Sequence, residues 1–126
     1  MSAATGAVRA LLRLEGLAVL ALSLTVYWVL EASWLWFALL FLAPDLSFAG
    51  YLRGPRVGAL AYNLAHTYVV PLALMGAAVA LELGRPATLL LVWTAHIGFD
   101  RMLGLGLKYP TAFRDTHLSG RRGLAP

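Results

Sequence analysis

Four long apolar runs dominate this chain of 126 residues. They extend from about Leu11 to Leu30, Trp34 to Leu52, Val57 to Leu83 and Ala87 to Leu107. Each is near or above the roughly 20 residues that a helix needs to cross a hydrocarbon core about 30 Å thick. Backbone groups in lipid must be satisfied within the segment, which selects helices, and the short alternating strands of a barrel are not visible. The sequence therefore predicts an all-α integral membrane protein: one domain over residues 1–126, a four-transmembrane-helix bundle and a tail from 108 to 126. The third run is long enough to tilt, and Pro71 is placed to kink it.

Composition agrees. The chain is 60% hydrophobic and 13% charged, against about 45–50% and about 25% in soluble domains. Its mean hydropathy is +0.75. The net charge of +4 is not a nucleic-acid footprint, because the basic residues sit at segment ends and form no stripe. The absence of cysteine excludes thiolate metal sites, haem thioether attachment and disulfides. Arg9 and Arg13 resemble the start of a signal peptide, with Ala21-Leu22-Ser23 as a cleavage match. Glu15 interrupts that apolar region, which runs on to Leu30, so a retained helix is expected.

The basic residues also set an orientation. Arg9 and Arg13 precede the first run, Arg53 and Arg56 flank Gly54-Pro55, and Lys108, Arg114, Arg121 and Arg122 follow the fourth. The opposite side has only Arg85, beside Glu82, and the acidic Glu31. The positive-inside rule places both termini in the cytoplasm. Tyr27, Trp28, Trp34 and Trp36 are expected to form an interfacial belt around the first outer loop, and Pro86 suits the first turn of the fourth helix.

With that topology, Glu15, Asp45, Tyr62, Asn63, His66, His96, Asp100 and Arg101 all fall in the cytoplasmic half of the bundle. Left facing lipid, Glu15, Asp45, Asp100 and Arg101 together would cost on the order of 8 kcal/mol, comparable to a total folding stability of about 5–15 kcal/mol. They must face inward. Singly, each has a structural explanation: Arg101 snorkels or pairs with Asp100, Glu15 pairs with an arginine, Asp45 caps a helix restarted after Pro44, and His66 and Asn63 bond between helices. Together, two imidazoles and three carboxylates match a nitrogen/oxygen metal site.

His96 and Asp100 lie one turn apart on one helix face. The expected ligands of a divalent Zn, Mn or Fe ion are His66, His96, Asp100 and Asp45. Glu15 is the expected general base and Arg101 the clamp for an anionic headgroup, with Asn63 orienting His66 and His117 reaching in from the tail. Haem is not expected, since three carboxylates make a poor apolar haem pocket. Expected partners are membrane lipid and a lipophilic or anionic small molecule, with no nucleic acid. Gly58, Gly76, Ala77 and Ala78, read as exposed small residues, point to a homodimer. The alternative functions are a small proton-coupled transporter using Glu15 and a structural or accessory membrane subunit.

The strings "RLEG", "FLAPDLSFAGYL", "YNLAHTYVVPLAL" and "AHIGFDRMLGLGLKYPTAFRDTHL" resemble a known family over about Leu11 to Leu118. It is a group of small bacterial integral membrane proteins classed as domain-of-unknown-function family 4260. The resemblance implies a small multi-helix protein of the bacterial cytoplasmic membrane. It implies no activity, so the site argument rests on the residues themselves.

Overall fold

The computed structural model describes residues 3–110, 113 and 116–118. Arg114, Arg121 and Arg122, which entered the orientation argument, lie outside the described residues. Among those described, the regular structure is helical, with an isolated bridge between Lys108 and Thr116.

The first apolar run is one helix, α1, Gly6–Val29. It ends when Glu31 takes φ 52°, letting the Ala32 N–H reach the Tyr27 carbonyl and the Glu31 N–H the Trp28 carbonyl. The second run is not one α-helix. It divides into α2, Trp34–Leu40, and a 3-10 helix, Ala43–Arg53. Pro44 explains the division: it has no N–H, and its ring excludes the Leu40 carbonyl that an α-helix would place there.

The third run divides too. Helix α3, Pro55–His66, stops at Thr67, which is extended at φ −90°, ψ 143°, and α4 resumes over Val69–Ala80. Thr67 is the residue whose carbonyl Pro71 excludes. The expected kink is therefore a full interruption, displaced four residues upstream of the proline.

The fourth helix, α5, covers Gly84–Met102 rather than continuing to Leu107. Gly104 at φ 86° closes it, with the Leu105 N–H on the Asp100 carbonyl at 2.8 Å.

Three stretches are long and apolar enough to cross a membrane: Gly6–Val29, Trp34–Arg53 and Pro55–Ala80. The remaining helix, α5, carries the polar load and is the most buried, from Leu91 to Asp100. It packs on α1 and α4 and touches α2 and the 3-10 helix, while α3 lies along the 3-10 helix.

Helices α1 and α5 approach through Gly16 and Gly98. A Cβ at Gly16 would come within 2.8 Å of the Gly98 carbonyl, and one at Gly98 within 2.7 Å of the Gly16 carbonyl. A buried Ser23–Thr94 hydroxyl pair at 2.8 Å adds a polar tie.

Two expectations need correction. Tyr27 is not in an interfacial belt but fully buried, donating to the Ser33 carbonyl and packed against Trp34 and Phe37, whereas Trp28, Trp34 and Trp36 are exposed. Gly58 and Ala78 are buried, Gly58 beneath the Tyr51 ring, so Gly76 and Ala77 alone keep the exposed small-residue character.

The first and last described segments meet at one end of the bundle. The Ala4 N–H donates to the His117 carbonyl, Arg9 to the Leu118 carbonyl and Arg13 to that of Met102. Phe113 packs on Tyr51, so the 3-10 helix also terminates there.

Candidate metal centre

The two helix interruptions and the glycine crossing bring four side chains together. Asp45 stands in the first turn of the 3-10 helix, His66 at the last residue of α3, and His96 and Asp100 on the buried face of α5. One oxygen or nitrogen from each lies within 4.8 Å of the others.

His66 Nε2 is 3.1 Å from His96 Nε2, 3.1 Å from Asp45 Oδ1 and 3.5 Å from Asp100 Oδ2. His96 Nε2 is 3.2 Å from each of the same two carboxylate oxygens. Zinc bonds of about 2.0–2.1 Å in a tetrahedron give ligand–ligand edges of about 3.3–3.4 Å. Five of the six edges here run from 3.1 to 3.5 Å.

Burial sharpens the chemistry. The side chains of His66 and His96 are 3% and 2% exposed, Asp100 12% and Asp45 34%. Two ionised carboxylates and two neutral imidazoles carry −2, which a divalent cation cancels. Without a cation, the largely buried Asp100 would have only imidazole hydrogens to replace the water it gives up.

Each imidazole is held from outside the cluster. His66 Nδ1 meets the Tyr62 carbonyl at 2.9 Å, and the Tyr62 ring stacks on the imidazole at 3.7 Å. A carbonyl only accepts, so Nδ1 carries hydrogen and a neutral His66 turns a lone pair inward at Nε2. Phe41 packs edge-on against His96 at 5.3 Å.

The interruption after His66 leaves helix-end carbonyls without intrahelical partners. Two side chains of α5 take them: Trp93 Nε1 donates to Ala65 at 2.6 Å, and Arg101 Nη2 to His66 at 3.2 Å. Arg101 does not pair with Asp100; its Nη1 is 3.0 Å from His117 Nε2, and its guanidinium lies over the Tyr68 ring. That placement differs from a free clamp for a headgroup, because both terminal nitrogens, Nη1 and Nη2, are engaged within the protein.

Three expected members stand elsewhere. Asn63 does not touch His66: it donates to the Lys108 carbonyl at 2.8 Å and accepts from the Lys108 N–H at 2.7 Å, pinning the tail. Its place beside His66 is taken by the Tyr62 carbonyl, which the helix turn puts nearer.

His117 also stays out, accepting from the Leu107 N–H at 2.8 Å. Burial and then the Arg101 charge push its imidazole below the ordinary range. Glu15 is exposed on α1 and not in the cluster.

Tyr62, Trp93 and Phe41 went unread as site residues. Proline spacing held the usable signal: Pro71 ends α3 at His66 and so creates the carbonyls that Trp93 and Arg101 meet.

An apolar cavity of about 350 Å³ is lined in part by Leu40, Pro44, Ser47, Ala65, Val92 and Trp93, chain neighbours of the cluster rather than its members. Pro44 precedes Asp45, Ala65 precedes His66, and Val92 is one turn before His96. Its polar lining groups are satisfied internally, with the Ser47 hydroxyl on the Pro44 carbonyl at 2.7 Å and the Trp93 indole on Ala65.

No curated protein and no solved structure matches the chain. A profile of one family, a domain of unknown function named DUF4260, matches residues 9–120. That span is most of the sequence, and the chain belongs to this family.

Proposed function

We propose that this is a four-span membrane protein that binds one divalent metal ion at Asp45, His66, His96 and Asp100, and that the ion serves an enzymatic reaction on a lipophilic substrate. The observation that carries the metal reading is the set of five short edges between donor atoms on three separate elements. Zinc, manganese and ferrous iron all accept this imidazole–carboxylate set. Such an ion would supply Lewis acidity or an activated water. The apolar cavity supports the lipophilic substrate, since its lining offers hydrocarbon contact and no unengaged donor.

The bundle would lie in the bacterial cytoplasmic membrane with both termini inside. The meeting of the first and last described segments supports an even number of spans. Reporter fusions at Ala32, Gly54, Gly84 and the C-terminus should then alternate outside, inside, outside, inside.

Elemental analysis of purified protein tests the metal directly. One equivalent is expected in the parent and none in His66→Ala, His96→Ala or Asp100→Ala, with double variants losing little more than single ones. A folded parent without stoichiometric metal after incubation with zinc, manganese and ferrous iron overturns the proposal.

A further inference from the structure

The four donors are not equivalent. Asp45 alone has a side chain about one-third exposed, at 34%, whereas those of His66, His96 and Asp100 are 3%, 2% and 12% exposed. Its supporting element differs as well. Asp45 belongs to a 3-10 helix with no buried residue, bounded by the Pro44 division and by Gly54 at φ 102°. A 3-10 stretch has poorer hydrogen-bond geometry than an α-helix and marks places where a segment moves. The other carboxylate, Asp100, projects from the most buried helix, and its own carbonyl is tied by the Leu105 N–H.

From this asymmetry we infer that His66, His96 and Asp100 are the permanent ligands and Asp45 the exchangeable one, so that the coordination position open to water or substrate lies on the Asp45 side. This rests on the metal reading above and adds which ligand gives way. When it does, the Asp45 oxygen leaves the ion and a water or substrate oxygen replaces it. No electron is transferred, and the freed carboxylate stays within reach to accept a proton or hydrogen bond from the incoming group. Two imidazoles and one carboxylate form a three-ligand set that leaves positions free for substrate.

The placement of the cavity fits that direction. Pro44, next to Asp45 in the chain, lines it, so a molecule whose hydrocarbon part occupies the cavity would lie against the element that carries Asp45. A structural zinc site keeps all four protein ligands, whereas a catalytic one keeps three and an open position.

Cobalt(II) titration of the purified full-length protein in detergent tests the inference, with visible absorption read alongside stoichiometry. The parent should bind one equivalent. Asp45→Ala should still bind one equivalent, with affinity lowered about 10- to 100-fold and with weaker absorption as water raises the coordination number. Asp100→Ala should bind none.

An Asp45→Ala protein that keeps its helical circular dichroism yet binds no cobalt overturns the inference, as does equal retention by both aspartate variants. Asp45→Asn, which preserves shape with a neutral oxygen, carries the same expectation if the alanine variant fails to fold. A parent that binds no cobalt removes the metal reading itself, a separate result.

Discussion

His66 Nε2 and His96 Nε2 face each other at 3.1 Å while His66 Nδ1 is committed to the Tyr62 carbonyl. With its single hydrogen on Nδ1, a neutral His66 can only accept at Nε2. The other groups around His96 Nε2 are the carboxylate oxygens of Asp45 and Asp100, which also accept. One hydrogen on His96 serves one of these three acceptors. A cation between them would serve all, and the proposed metal centre rests on that difference.

Holding His66 in place requires the interrupted end of α3 to be fixed, and Arg101 does this through the His66 carbonyl. Arg101→Met should therefore weaken metal binding without removing a ligand, by about 10- to 100-fold. Titration of metal with the variant measures it. Unchanged affinity would show that the contact of Arg101 with the His66 carbonyl does not position the imidazole.

The glycine crossing makes a sharper structural prediction. Gly98→Ala places a methyl against the Gly16 carbonyl and the Leu20 backbone, so the helices must separate. A loss of about 1–3 kcal/mol is expected. Gly76 has nothing within 4 Å of a built Cβ, and Gly76→Ala should be neutral or gain up to about 1 kcal/mol from helix propensity. Thermal denaturation in detergent, comparing the two, checks the pair.

Glu82 follows α4 at φ 57°, a conformation that side chains rarely adopt. It is held there because the Leu83 N–H reaches back to the Ala78 carbonyl at 2.8 Å, closing the helix as glycine normally would. Glu82→Gly should relieve the strain and stabilise the protein by about 1 kcal/mol. The same denaturation assay reads it, and destabilisation would show that the carboxylate makes a compensating interaction.

Tail docking should weaken in acid. The folded pKa of His117 lies below the unfolded imidazole value, about 6.5, because burial and Arg101 disfavour its charge. Between the two values the undocked tail binds more protons, so the contribution of His117 is complete above the unfolded pKa. It falls as pH drops through that value towards the folded one. The protection of the Leu107 amide, which donates to His117 Nδ1, should fall from pH 7.5 to 5.5 in the parent once its hydrogen-exchange rate is divided by the pH-dependent rate of an unprotected amide, and should show no such added dependence in His117→Gln.

The sequence by itself determined the helical class and the runs long enough to cross a membrane. These follow from local properties: apolar length, the stop at each proline or glycine, and a fixed rise per residue. It did not determine which polar residues meet. Asp45, His66, His96 and Asp100 converge, while Asn63, His117, Arg101 and Glu15, at a similar level or within reach of it, do not enter the cluster. Rotation about each helix axis decides that, and depth carries no information about rotation. Here the rotations are set by two local breaks, the division at Pro44 beside Asp45 and the interruption at Thr67 that leaves His66 as a helix end, together with the Gly16–Gly98 contact that seats α5 against α1. That contact joins residues far apart in the chain, and only close packing of the bundle chooses among the rotations that periodicity allows.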